Sequence, residues 1–250
     1  MSKSTWIIFA IICVGIVAGL VFLSRGGQLD VSAIDVNKIQ GASDKSGQIA
    51  DQVYGNKESK VVLIEYGDYQ CPGCAKAAPV LKQVSEKYKD QIAFVFRNYP
   101  LYSMHPNALA AATAAEAAGL QGKFWEMHDA LYENQGDWNQ LSSSDRTDYF
   151  VNLATSLGVD GEKLRADFSN KSIKQKIDFD VALGKKVEVS GTPAIFLNGK
   201  KLSDTRYNGS KITTGNTSDS YVWSDATAFE NLIIKPALKE AGISTEEKTE

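Results

Sequence analysis

The chain is poor in the residues that most often announce a metal. Its 250 residues hold three cysteines and two histidines. His105 and His128 stand far wider apart than the H-x₃₋₅-H of a structural zinc site, so they read as capping or packing helices. No run of Lys or Arg appears and the net charge is −3, which argues against a nucleic-acid partner. Nothing around Cys71 matches a papain-like signature, so a cysteine hydrolase is not supported. No internal repeat is evident. No convincing A-x-A cleavage site follows the apolar amino terminus, where Ser24-Arg25-Gly26 is the nearest candidate.

What is present begins with that apolar stretch. Trp6 to Leu23 carries no charge over 18 residues. As a helix it would be about 27 Å long, against a hydrocarbon core of ~30 Å. Residues 1–24 are therefore expected to be a lasting membrane anchor. Ile12 before Cys13 does not fit a lipoprotein site, so Cys13 reads as lipid-facing filler. Lys3 and the amino terminus oppose Arg25 and Lys38, so charge barely orients the span. Residues 25–52 are polar and read as a linker, whose flexible reach would be ~30 Å. Val31, Ile34 and Ile39 leave a short ordered piece as the alternative.

The organising stretch is Glu65-Tyr66-Gly67-Asp68-Tyr69-Gln70-Cys71-Pro72-Gly73-Cys74. A buried-looking strand, Val61 to Tyr66, runs into two cysteines three residues apart, and Pro72 opens a helix. Proline at the first helical position loses only an amide that would lack a partner anyway. Cys71 then sits near the N-cap, where free amides and the helix dipole favour a negative sulfur. Only the thiolate attacks a disulfide, so Cys71 is the candidate nucleophile and Cys74 the buried resolving thiol. A static disulfide or half a zinc site is the alternative, but a bridge this short closes almost no loop. Glu65 interrupts a strand apolar on both faces. It is either a buried carboxylate placed for a reason or a solvated residue on an edge strand.

Beyond the helix, which carries Val80, Leu81, Val84 and Tyr88 around Pro79, Ile92 to Phe96 reads as a second parallel strand. From His105 the period turns helical. Five helices are expected, with the Ser142–Asp145 capping cluster among their boundaries, so residues 103–187 read as an inserted helical domain. Gly191-Thr192-Pro193 precedes the strand Ala194 to Leu197, and Asn198-Gly199 turns it into an antiparallel hairpin. The polar segment Ser203 to Trp223 is expected to return to the cysteine end, as part of a client-selecting rim or as a disordered insertion. Asp225 caps a last helix, which Pro236 bends or restarts. Residues 242–250 read as a disordered tail.

Four motifs in this order, Glu65-x₅-Cys71-Pro-x-Cys74, His105-Pro106-Asn107-Ala108, Gly122-Lys123-Phe124-Trp125 and Gly191-Thr192-Pro193, resemble the DsbA-like thiol-disulfide oxidoreductases. The resemblance covers about residues 50 to 241. It implies an α/β thioredoxin fold built from residues 53–102 and 188–241, with the all-helical insertion between them and one transmembrane helix before it. It implies that Pro193 is a cis-proline facing the cysteines rather than an ordinary strand-entry proline. Thr192, with Pro72 and Gly73, would border an extended client. It also implies that Glu65 lies beneath the cysteines and helps move the proton of the buried thiol. Pro72-Gly73 departs from the Pro-His of the family's best-known oxidant, so no imidazole contributes there. The expected activity is oxidation of reduced or unfolded client proteins outside the cytoplasm, at a cell membrane reached through residues 6–23. It needs no cofactor or metal, and a membrane redox partner resets the disulfide. A reductase or isomerase on the same fold, or a non-redox binding module, are the alternatives.

Overall fold

The computed structural model describes residues 6, 12–15, 29–213 and 217–245. The transmembrane helix expected over residues 6–23 falls almost wholly outside them. Among the described residues, no helix is long and apolar enough to cross a membrane.

Five strands make one mixed sheet. β1 (Gln52–Gly55), β2 (Val62–Gly67), β3 (Ala93–Asn98), β4 (Ala194–Leu197) and β5 (Lys200–Lys201) lie in the order β1-β3-β2-β4-β5. β2 and β3 run parallel, joined through α1 (Pro72–Lys87), and this is why both read as continuous apolar runs. Glu65 stands opposite Phe96 on one side and Ile195 on the other. It is therefore on the central strand of the sheet, and the edge-strand alternative falls. β1 pairs antiparallel with β3 and was not legible as a strand, because Gln52–Gly55 lacks an apolar alternation.

The inserted helices are α2 (Ala108–Gly119), α3 (Phe124–Glu133), the single turn α4 (Gln135–Trp138), α5 (Ser143–Ser156), α6 (Gly161–Asp167) and α7 (Lys171–Lys186). Side-chain caps start three of them: Ser142, Asp160 and Asn170 accept from the backbone amides of Asp145, Lys163 and Ser172. α2 is buried almost all round, because its alanines let neighbours approach closely. The insertion does not have a core of its own. Trp138, Phe150, Ala111 and Met127 share one apolar cluster with Cys71, Cys74, Ala78 and Phe96, so the cysteines sit on the seam between the two parts.

The flexible linker expected over residues 25–52 is corrected in favour of its alternative, an ordered piece in which Val31 is buried and Ile34 and Ile39 pack on the core. Residues 29–51 are strapped onto the domain, with Val31, Val36 and Ile49 buried. Their carbonyls are taken by fixed cations. Lys186 Nζ donates to the oxygens of Val31, Ser32 and Ile34, and Arg97 donates to those of Val36 and Lys38. Asp51 completes the attachment through buried ion pairs with Arg97 at 2.8 Å and Lys176 at 3.2 Å. Composition hid this because the anchoring partners lie far along the chain.

After β5 the chain does return to the start of β4, where Ser203 Oγ accepts from the Ile195 amide. The described residues that follow form a three-stranded sheet in the order β7-β6-β8, made of β6 (Arg206–Asn208), β7 (Lys211–Thr213) and β8 (Ser220–Tyr221). It is closed by Trp223 Nε1 donating to Ser203 O, with Val222 and Trp223 buried in one apolar cluster with Ala77 and Leu81 of α1. The last helix comprises α8 (Ala226–Phe229), a π turn (Glu230–Ile234) and α9 (Lys235–Glu240). Pro236 lies just past the π turn, as expected where a proline withholds a donor and crowds the preceding turn. The disordered tail expected from residue 242 is also corrected at its start: Ile243 packs on the core and Ser244 O accepts from Gln91 Nε2.

Candidate functional site

Cys71 is the N-cap of α1 and Pro72 is its first residue, as the spacing predicts. Both cysteines are free thiols in this structure. Cys71 keeps 8% of its surface exposed, whereas Cys74, one turn inside, is fully buried. That asymmetry fixes which sulfur is within reach of solvent.

Their proton affinities split in the same sense. The Cys71 pKa falls to about 5, first because the Cys74 thiol donates to it; burial opposes this, while Thr192 and the amides of Cys74 and Gly73 add to it. The Cys74 pKa is raised well above the ordinary thiol value, first by burial and then by its role as donor to Cys71. At neutral pH the pair is one thiolate and one thiol, linked by a hydrogen bond.

Thr192–Pro193 is a cis peptide, and the Cys71 thiol can donate to Thr192 O at 3.3 Å. Gly73 completes the close approach. A Cβ at Gly73 would lie 3.2 Å from Pro193 Cδ and 3.6 Å from both Cys71 Sγ and Thr192 O. The structure thus brings Cys71, Pro72, Gly73, Cys74, Thr192 and Pro193 together.

Glu65 lies behind them. It is fully buried, and neither carboxylate oxygen has a hydrogen-bond partner among the described residues. Burial pushes its pKa up to about 8, with the negative charge of Cys71 adding to the rise. A carboxyl that titrates near neutrality beside a buried thiol is placed to trade a proton with it.

Several residues that position the site were not singled out from the sequence. Gln135 Nε2 donates to Tyr69 O at 2.7 Å and to Cys71 O at 3.1 Å, which pins the loop entering α1 from the inserted side. Asp68 accepts from the amides of Gln70 and Leu101 and pairs with His105 Nδ1 at 2.7 Å. Gln70 in turn accepts from the Asn107 amide and donates to Asn139 O. The Asp68–His105 pair lies within two quoted motifs, but their contact spans 37 residues and no local pattern signals it. Among the described residues no group of three or more His, Cys, Asp or Glu gathers as a metal site.

The chain is similar to known proteins. A thioredoxin-like oxidoreductase from Silicibacter pomeroyi superposes with a TM-score of 0.51 at 27% identity, over 60% of this chain and 82% of that one. α-DsbA1 from Wolbachia pipientis superposes with a TM-score of 0.58 at 22% identity, over 76% and 92% of the two chains. In sequence, the Na⁺/H⁺ antiporter NhaA 1 of Salinispora arenicola is 39% identical over 151 residues, which is 60% of this chain and 22% of that protein. The chain thus spans about a fifth of the length of the curated relatives it matches. A family model described as thioredoxin matches residues 48–211, more than half of the chain. The chain belongs to the thioredoxin family, and its architecture is that of the DsbA-like thiol-disulfide oxidoreductases.

Proposed function

We propose that this thiol-disulfide oxidoreductase works as an oxidase of reduced or unfolded client proteins outside the cytoplasm. One observation carries the direction: Cys71 titrates near pH 5 while Cys74 stays a thiol. A thiolate that stable makes the reduced enzyme the favoured partner, so electrons flow from client to enzyme. At pH 7 the two-unit drop below ambient pH favours the reduced form by about 2.7 kcal/mol, or ~60 mV.

In this reading the Cys71–Cys74 disulfide is attacked at Cys71 by a client thiolate, and Cys74 leaves. A second client thiolate attacks the client sulfur of the mixed disulfide and releases Cys71 as the stable thiolate. Thr192 and Pro193, with Pro72 and Gly73, border the sulfur and would meet the client backbone in strand-like fashion. Regeneration falls to a membrane redox partner, and tethering through residues 6–23 would keep the two together on the outer side of the membrane. Ion transport is not carried over from the antiporters, because the match accounts for about a fifth of their length.

The test is the equilibrium of Cys71–Cys74 with glutathione, combined with oxidation of a reduced model polypeptide. The oxidase reading expects a potential more oxidising than glutathione's and loss of turnover in Cys71→Ser. A potential below glutathione's would favour a reductase, and full client binding by Cys71→Ser without exchange would favour a binding module.

A further inference from the structure

The proton of Cys74 poses a problem that the fold solves in an unusual place. Each turnover must add one proton to this sulfur and later remove it, yet Cys74 and Glu65 are both fully buried. Cys71, 8% exposed, is where the client would sit.

Behind Glu65 lies a series of buried polar atoms without hydrogen-bond partners among the described residues: the hydroxyls of Tyr69 and Tyr132, His128 Nε2 and Ser85 Oγ. Orphaned polar atoms are costly in a core, so a group of them needs an account. They are neighbours. The Tyr69 and Tyr132 rings are 4.9 Å apart, and the His128 ring is 5.6 Å from the first and 5.1 Å from the second. A Cβ at Gly67 would lie 3.0 Å from the Tyr132 hydroxyl. Gly67 is two residues beyond Glu65 on β2, so the two share one face of the sheet. The hydroxyl therefore lies over the face of the sheet that carries Glu65.

The far end of the series reaches solvent. His128 and Ser85 line a small cleft together with Tyr54, Lys82 and Asp129. Lys82 is 11 residues along from Cys71, so the cleft opens about 16 Å down α1 from the reactive sulfur. His128 Nδ1 faces Asp129 Oδ1 at 3.0 Å. With Nδ1–H donating to that carboxylate, Nε2 is left as a bare acceptor, and Asp129 would steady the charged ring. The other groups around the ring are Lys82, Ser85 and Glu86 of α1, Tyr54 of β1 and Trp125 of α3, with Lys82 holding Asp129 at 2.8 Å and Glu133 at 3.5 Å.

We propose that Glu65, Tyr132, Tyr69 and His128 form a proton lane that connects the Cys74 thiol to the Lys82–Asp129 cleft, away from the client. The proposal rests on the thiol-exchange reading. The Cys74 thiol gives its proton to the Glu65 carboxylate and becomes a thiolate. That thiolate displaces the partner from a Cys71 mixed disulfide: the Cys71–Cys74 bond forms, the partner–Cys71 bond breaks, and the partner leaves as a thiolate. Glu65 returns to carboxylate as the proton passes, through bridging water and the tyrosine hydroxyls, to His128 Nε2 and then to water in the cleft. Timing favours the step, because a mixed disulfide removes the Cys71 charge that helps hold Glu65 protonated.

The experiment mixes the reduced full chain with oxidised glutathione and follows two rates between pH 5 and 8: formation of the Cys71–glutathione mixed disulfide, and its resolution by Cys74. Tyr132→Phe removes only a hydroxyl. It should slow resolution about a hundredfold, at the low end of positioned proton transfer, while leaving mixed-disulfide formation unchanged. His128→Gln should do the same, and imidazole entering the cleft should restore its rate. Should His128→Gln fail to fold, Tyr132→Phe decides. Wild-type resolution rates in Tyr132→Phe overturn the lane, as does slowing of His128→Gln that imidazole leaves untouched. A wild-type chain that never forms the mixed disulfide overturns the exchange reading instead.

Discussion

The Cys71 sulfur lies 3.3 Å from Thr192 O and accepts from the Cys74 thiol, the contact that does most to hold it as a thiolate. Thr192 and the amides of Cys74 and Gly73 act in the same direction, burial opposes them, and the pKa settles at about 5. Because the Cys74 hydrogen bond is the largest contribution, Cys74→Ala should raise the Cys71 pKa by about one unit or more. Cys74→Ser keeps a donor and should raise it less. The pH dependence of Cys71 alkylation measures both, and an unchanged pKa in Cys74→Ala would show that the helix amides alone set the thiolate.

The same value shapes the reduction potential. Above pH 5, reducing the disulfide takes up one proton for two electrons, so the potential should fall by about 30 mV per pH unit. Below pH 5 both sulfurs take protons and the slope should double to about 59 mV. Glutathione equilibria between pH 4 and 8 would show the break. A uniform 59 mV slope up to pH 8 would mean that Cys71 is an ordinary thiol.

What the sequence disclosed and what it hid divide by distance along the chain. Cys71, Pro72, Gly73 and Cys74 are contiguous, and the helix they open follows from local rules, so their roles were legible. Thr192 and Pro193 were placed by the resemblance to a known family; a proline before a strand does not by itself say what it faces. Glu65 was legible as an anomaly, a charge inside an apolar strand. Gln135, Tyr69, Tyr132 and the Asp68–His105 pair were not, because each acts across tens of residues through ordinary side chains. The strap over residues 29–51 was misread for the same reason. Its polar composition resembles a linker, and Arg97, Lys176 and Lys186 tie it to the domain beside the buried Val31, Val36 and Ile49.

That strap yields a stability prediction. Asp51 is buried between Arg97 and Lys176, and Lys176 also pairs with Asp180 at 2.5 Å. Removing one partner leaves buried positive charge without compensation, so Asp51→Ala should cost about 3–5 kcal/mol. Residues 29–51 should then become sensitive to protease before the rest of the chain unfolds. Denaturant titration and limited proteolysis test this. A cost under ~1 kcal/mol, with 29–51 still resistant, would mean that Val31, Val36 and Ile49 hold the strap alone.

Glu65 makes the dependence of stability on pH run against the usual carboxylate direction. Its folded pKa of about 8 lies above the ordinary 4.5, so between those values the folded state holds a proton that the unfolded state has released. The contribution is fully present below about pH 4.5 and is lost as pH rises through 8. At ~1.4 kcal/mol per unit the loss reaches ~4–5 kcal/mol at most. Cys71 acts in the opposite sense in the reduced protein, so the oxidised protein, whose Cys71 carries no charge, isolates the carboxyl. There burial alone sets the shift and the loss should be smaller. Glu65→Gln removes the titrating group while keeping its shape. The oxidised variant should therefore gain on the oxidised wild type as pH climbs from 5 to 9, with the two closest at the acid end. Parallel stability curves for the two proteins across that range would show that Glu65 is not protonated in the folded state, and the carboxyl could not then serve as the relay for Cys74.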